Sequence, residues 1–297
     1  MFNVGCSMFD VPIPSSFQLS AFHFLLFLIT SSSSFQLFRF SAFQLLPKPP
    51  HAPHPSIYPF DPRAEAMLPA IGGFPRSDKP LFLAGYSELC RVDLNGGRAL
   101  EICGGFGKLA IALAKVFPKS EVIGLDFYAA TGPEVDEQRK QLPGLSFVAG
   151  DAFDLSAYDD ESFDLVWGQA ALHHLAHDPE GLSRQVLRVL KPGGRFVFIF
   201  EPMGHNLLVA AIRAVRMARH ELGDESNLYL SQFERMEKCG FSRCEVQMFN
   251  LLGYPMKALS DRFSILSTLI QKADSLLFKL FPKLLRYGAN ANVIFTK

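Results

Sequence analysis

The sequence predicts an α/β fold, an open and mostly parallel sheet with helices on both faces. Strand-length apolar runs alternate five times with amphipathic helical segments over about a hundred residues, the pattern of a doubly wound sheet. A glycine-rich turn, Cys103-Gly104-Gly105-Phe106-Gly107, joins the first of these strands to its helix. Glu101, Asp126, Asp151, Gln169 and Glu201 fall at or near the strand ends. Ligands of such sheets bind beyond the carboxyl ends of the strands.

Taken in order, Asp78 to Leu89 can form a short helix, and Asp93-Leu94-Asn95-Gly96-Gly97 turns the chain into the strand Ala99–Ile102. Leu109 to Phe117 has helical spacing and is broken by Pro118. Glu121–Asp126 reads as a buried strand, since its apolar run with a β-branched pair suits a sheet covered on both faces. A helix from Pro133 to Leu142 carries Glu134, Asp136 and Glu137 near its start, where the helix dipole favours acids. The strands Leu145–Asp151 and Ser162–Gly168 follow, then a helix from Pro179 to Leu190. Lys191-Pro192-Gly193-Gly194 stops that helix and leads into the strand Arg195–Pro202. Beyond it, Leu207 to Leu222 has helical spacing, Phe233 to Phe241 ends a helix on Gly240, and Cys244–Leu251 and Ala291–Thr296 read as strands.

With 297 residues, 48% hydrophobic, the chain has ample material for one buried core. Its 29 basic and 29 acidic residues cancel, which argues against bulk attraction to nucleic acid. The five cysteines include no CxxC pair, so neither a disulfide framework nor a structural metal is indicated, and a cytoplasmic, reducing location is expected.

Residues 1–66 differ from the rest. Phe-Gln-Leu recurs at Phe17, Phe35 and Phe43, and a proline-rich stretch around Pro47–Pro55 can hold neither helix nor ladder. The apolar run Leu19–Thr30 is shorter than the roughly twenty residues that span a bilayer. No Lys or Arg precedes Arg39, unlike a secretory signal. The expectation is a low-complexity, disordered extension over 1–66 and a folded domain over 67–297, with Met67 as a natural beginning. A targeting segment or membrane anchor is the alternative.

Five segments in order carry a family resemblance: Leu100–Gly107, Val122–Asp126, Gly150-Asp151-Ala152, Phe163–Val166 through Leu172-His173-His174, and Leu187–Gly194. The region resembles a class I S-adenosylmethionine-dependent methyltransferase of the small-molecule group that carries a Leu-His-His segment. The resemblance implies a Rossmann-like sheet of seven strands, the last two forming an antiparallel hairpin at the sheet edge. It also implies S-adenosyl-L-methionine as cofactor. Glu101 would orient the cofactor's amino-acid end, and Cys103, Gly104, Gly105 and Gly107 would form the turn beneath it. Asp126 would accept the ribose hydroxyls, and Asp151 with the Ala152 amide would meet the adenine amino group. Phe127 or Phe153 would line the adenine, and Gly168 and Gln169 would pass the methionine portion. Cys103 departs from the pattern, because the family has glycine there. It also weakens a dinucleotide-binding reading, which needs that first glycine.

Methyl transfer asks the protein for alignment, desolvation and, for a hydroxyl nucleophile, a base. His173 and His174 follow the fourth strand and can supply one, since imidazole titrates near neutral pH. Glu201 and His205 are rival substrate-facing residues. A helical insertion over about 253–288 separates the last two strands. Leu259, Phe263, Leu266, Ile270, Ala273, Leu277, Leu280 and Leu284 recur at steps of three and four and predict one buried seam. The expected role is a helix pair that caps its own core; the alternatives are a lid over a lipophilic substrate and a face for peripheral membrane contact, the latter supported by Lys279, Lys283 and Arg286. The expected function is methyl transfer to a small-molecule or lipid-like acceptor, with no nucleic acid partner. A catalytically inactive cofactor-binding module and a membrane-associated protein are the alternatives.

Overall fold

A computed structural model describes residues 60–74, 76–218, 226–257 and 262–297. The alternating apolar runs pair as one seven-stranded sheet in the order β3-β2-β1-β4-β5-β7-β6. The strands are β1 (Arg98–Ile102), β2 (Glu121–Asp126), β3 (Leu145–Ala149), β4 (Phe163–Gln169), β5 (Leu190–Pro202), β6 (Arg243–Phe249) and β7 (Asn290–Thr296). The helices are α1 (Pro62–Met67), α2 (Lys79–Cys90), α3 (Lys108–Val116), α4 (Pro133–Gln141), α5 (Pro179–Val189), α6 (Leu207–Ala218), α7 (Leu230–Glu237) and α8 (Ser264–Leu280). β1 to β5 pair in parallel, and β7 runs antiparallel to both β5 and β6. The expected hairpin does close this edge. Within it the reversed strand stands one place in, and β6 takes the outermost position.

Strand alternation sorts the core into two layers. Leu100, Ile102, Val166, Phe196 and Phe198 face one side and pack with Leu182, Val186, Phe233 and Met236 of α5 and α7. Ala99, Leu165, Trp167, Val197 and Ile199 face the other and pack with α1, α2 and α3. At the amino edge, Lys191 Nζ donates to both Asp164 oxygens at 2.9 and 2.8 Å. Two of the recognisable sequence segments are thus tied together at the edge opposite the carboxyl ends of the parallel strands.

β5 departs from regular alternation near its end. Its register against β7 shifts between Phe198 and Glu201, and Phe200 has φ +64°. Ile199 and Phe200 consequently face the same layer, and Glu201 turns to the opposite side. The buried Asn292 of β7 holds this bulge by accepting from the Phe200 amide at 3.1 Å and donating to the Leu81 carbonyl at 2.9 Å.

Two sequence expectations need correction. The folded unit begins before Met67: Asp61 caps α1 by accepting from the Arg63 amide, and Ala64 and Met67 are fully buried. α1 packs there because Arg63 also reaches the Cys90 carbonyl and the Phe117 ring. The expectations for residues 1–59 lie outside the described residues. The second correction is the α8 seam. Of the expected seam Ile270 is buried and Leu266, Ala273, Leu277 and Leu284 are half-buried, but the most buried face is Ser267, Ile270, Asp274 and Phe278, while Phe263 and Leu280 are 52% and 60% exposed. Polar pins set this rotation: Asp274 accepts from the Leu252 and Gly253 amides, and Gln271 donates to the Arg76 carbonyl. Leu259 of the expected seam is outside the described residues.

Candidate cofactor and acceptor site

The glycine turn is built for close approach. Gly104 N–H donates to the Leu125 carbonyl at 3.1 Å, which ties the turn to the end of β2. Gly105 has φ +52°, and a Cβ on it would meet nothing within 4 Å, so open space lies against bare backbone there. Gly107 has φ +73° and caps α3, and a Cβ on it would stand 2.3 Å from the Phe147 ring. That ring also fills the notch left by Gly124 of β2.

Around the turn, side chains converge from three strand ends. Asp126, at the end of β2, accepts from the Gly105 amide at 2.9 Å. Glu101 of β1 is 2% exposed and accepts from the Ala110 amide of α3 at 3.1 Å. Burial pushes its carboxyl up to about 8 against that hydrogen bond, and the nearby Asp126 charge adds to the rise. Gln169, ending β4, accepts from the Tyr86 hydroxyl at 2.7 Å. Tyr86 is fully buried, and its own pKa is raised by burial and by Glu101. It comes from α2, far away in sequence, and nothing in the local pattern around it marks a site residue.

The remaining expected residues are placed as follows. Asp151 follows β3, and its Oδ1 accepts from the Phe153 amide at 2.9 Å, closing a turn while the residue stays exposed. Ala152 is 5% exposed and packs into the core. Phe127 is 70% exposed beside Asp126, and Phe153 lies against His177 with centroids 4.6 Å apart. Gly168 is a packing position: a Cβ there would be 2.8 Å from the Ala171 Cβ and 3.1 Å from the Ile102 carbonyl.

The β4–α5 turn changes the roles expected of the acids and histidines. Glu201 is fully buried and accepts from the amides of Ala171, Leu172 and His173 at 2.8, 2.9 and 3.3 Å. Its Oε2 also lies 2.9 Å from His173 Nδ1. Glu201 therefore organises this turn and does not face a substrate. His173 is 2% exposed, whereas His174 is exposed with its ring 4.2 Å from His173. His205 is likewise structural, since its Nε2 accepts from the Leu230 amide at 3.3 Å. Burial and the Arg286 charge lower its pKa, which favours the neutral ring.

Strain gathers along this edge. Of the five described non-glycine residues with positive φ, four follow or end strands at the carboxyl side: Cys103, Ala170, Phe200 and Asn250. Strained backbone concentrates at functional sites. Cys103, at φ +55°, occupies a conformation that favours glycine. Burial raises its thiol to about 12, and the surrounding acids Asp126, Glu201, Glu101 and Asp151 reinforce the rise, which disfavours the thiolate. Cys103→Gly is expected to raise stability by about 1 kcal/mol, read as an upward shift in Tm, and to preserve or tighten cofactor affinity. A loss of affinity would show that the side chain shapes the cleft.

A family model described as a methyltransferase domain matches residues 100–198. Over these residues the chain is similar to a methyltransferase domain. The match begins in β1 and ends in β5, so it contains the glycine turn, Asp126, Asp151, Gln169 and the His173–His174 pair. The phthiotriol/phenolphthiotriol dimycocerosates methyltransferase of Mycobacterium leprae is 42% identical over 108 residues, 36% of this chain and 39% of that protein. The demethylmenaquinone methyltransferase of Staphylococcus carnosus is 40% identical over 103 residues, 34% of this chain and 42% of that protein. The chain thus spans about two fifths of the length of these curated relatives. The solved phosphoethanolamine N-methyltransferase 2 of Haemonchus contortus overlays 70% of this chain and 50% of its own, at 24% identity and a TM-score of 0.46.

The residues present fit S-adenosylmethionine. A buried carboxylate suits an ammonium, an accessible strand-end carboxylate suits paired hydroxyls, and open backbone beside Gly105 leaves room between them. Glu101 also makes a pH prediction for the cofactor-free protein. Its folded pKa of about 8 lies above the ordinary 4.5, so the folded state holds the proton more tightly. This contribution to stability is fully present below the ordinary value and is lost as pH rises through the folded one, at up to about 1.4 kcal/mol per pH unit between them. Urea midpoints taken across that window should fall for the wild type, and Glu101→Gln should remove one proton's worth of the slope. Identical slopes would overturn the assignment.

Proposed function

We propose that the domain transfers a methyl group from S-adenosyl-L-methionine to a lipophilic small-molecule acceptor. The observation that carries this is the convergence of Glu101, Asp126 and the Tyr86–Gln169 pair around the open Gly105 turn, inside the matched segment. When bound, the cofactor supplies a strongly electrophilic methyl group. Glu101 holds the amino-acid end, and Asp126 exchanges its bond to the Gly105 amide for the ribose hydroxyls. Asp151 and the Ala152 amide would hold the adenine, with the exposed Phe127 ring available to cover it. Tyr86 fixes the Gln169 carboxamide by donating to its oxygen, which leaves the amide nitrogen as the group that would meet the methionine portion. Glu201 and His173 hold the β4–α5 turn, and His174, the exposed member of the His173–His174 pair, takes the proton where the acceptor is a hydroxyl.

A lipophilic acceptor is supported by the names of the matched relatives, which give phthiotriol/phenolphthiotriol dimycocerosates and demethylmenaquinone. Phe106, Phe127 and Tyr128, at 73%, 70% and 85% exposed, offer rings on the same edge. Calorimetry with S-adenosylmethionine tests the reading. One site per chain is expected, with affinity reduced about tenfold or more in Asp126→Ala. Absence of binding would overturn it. Cys103, strained where the family has glycine, favours the inactive-module alternative, and binding without turnover on long-chain alcohols and prenylated quinols would support that alternative.

A further inference from the structure

α8 carries large apolar residues on its solvent side. Ile265, Leu269, Leu276 and Leu280 are 77%, 56%, 55% and 60% exposed. At 100° per residue they fall within an arc of about 100°, together with Lys272 and Lys279. Both lysines are exposed, and the one acid of the helix, Asp274, is buried on the opposite side. Exposed aromatic and basic residues flank the helix: Arg262 and Phe263 before it, Phe281 and Lys283 after it. Alongside α8 runs a groove of about 480 Å³ lined by Phe60, Arg76, Lys79, Pro80 and Leu83, with no carboxylate in its lining.

Among the described residues no helix is long and apolar enough to cross a membrane. An amphipathic helix with aliphatic residues and lysines on one face, and no acid there, is suited to lie in the plane of a bilayer interface. Its lysines complement anionic headgroups, because long lysine stems reach outward while their methylenes stay in the apolar layer. The helix is also placed for this role. It lies between the end of β6 and the start of β7, where Phe249 pairs with Asn290, and Asn290 pairs with Pro202 of β5. That is the carboxyl edge, the same edge on which the Gly105 turn and Asp126 stand.

We propose that the solvent face of α8 docks the protein on an anionic lipid surface, beside the edge at which a lipophilic acceptor would enter. The docking follows from the helix itself and rests on the methyltransferase reading only for the identity of what is met there. The full chain should float with vesicles of phosphatidylcholine containing phosphatidylglycerol, more strongly at low salt than at high. Lys272→Glu combined with Lys279→Glu should weaken partitioning by about thirtyfold or more, from roughly a factor of five per lysine removed and further repulsion from the glutamates. Leu269→Ser combined with Leu276→Ser should weaken it by about tenfold or more, and these exposed sites leave the core untouched. Affinity for S-adenosylmethionine should be unchanged in both variants, so failure of docking and failure of the cofactor reading are told apart. Three results would overturn the proposal: no flotation of the wild type, equal flotation of the variants, or a wild-type dimer that both variants convert to monomer, which would assign the face to a second copy.

Discussion

Replacing Glu201 by alanine is expected to cost about 3–5 kcal/mol of stability and to abolish cofactor binding. The side chain is fully buried and serves three backbone amides and the His173 ring at once. Removing it leaves those donors buried without their acceptor, and each unsatisfied group costs about 1–3 kcal/mol. The turn it holds begins at Ala170, already strained at φ +49°, directly after Gln169. Loss of Glu201 should therefore release the residue that Tyr86 orients. Chemical denaturation reads the stability, and calorimetry reads the cofactor. Glu201→Gln keeps one carbonyl oxygen and should lie between the two, because an amide nitrogen cannot accept. If the alanine variant does not fold, faster hydrogen exchange at the Ala171–His173 amides in the glutamine variant gives the same information. An alanine variant within about 1 kcal/mol of the wild type would show that the turn holds itself.

Gly107→Ala should be the most damaging single change in the glycine turn. Its φ of +73° costs any L side chain about 1–2 kcal/mol. The added Cβ would also lie 2.3 Å from the Phe147 ring and 3.1 Å from the Ala130 Cβ, so either the ring or the N-terminus of α3 must move. We expect a loss of about 2–4 kcal/mol in all, with cofactor affinity falling along with it. Gly96→Ala is the control, since its φ is +81° and a Cβ there meets nothing within 4 Å. It should show the backbone cost alone. Equal denaturation midpoints for the two variants would mean that Phe147 yields freely and that packing adds nothing at Gly107.

Much of the architecture was legible because it rests on local chemistry. Apolar runs too short for helices, each closed by a turn and followed by an amphipathic segment, leave few arrangements other than a doubly wound sheet. Strand alternation then dictates that Glu101 and Gln169 share a face with Ala99, Leu165 and Trp167, and the structure places α2 and α3 over that face. The α8 seam is only partly the buried face, for a comparable reason. Spacing identifies an amphipathic helix, yet the hydrogen bonds of Asp274 and Gln271 set how it rotates against its neighbours.

By itself, then, the sequence determined the alternation of elements, the glycine turn and the carboxylates that end β1 and β2, all consequences of residue order over one or two turns of chain. Only the tertiary structure decided which face each late side chain serves. The bulge at Phe200, held by Asn292 from another strand, turns Glu201 away from the acceptor side and onto the Ala171–His173 amides. Tyr86 joins the site for the same kind of reason, because a helix before the sheet delivers it to Gln169 across 83 residues of chain. A one-residue shift in a strand reverses every side chain beyond it. Such a shift is set by partners distant in sequence, so no local pattern could announce it.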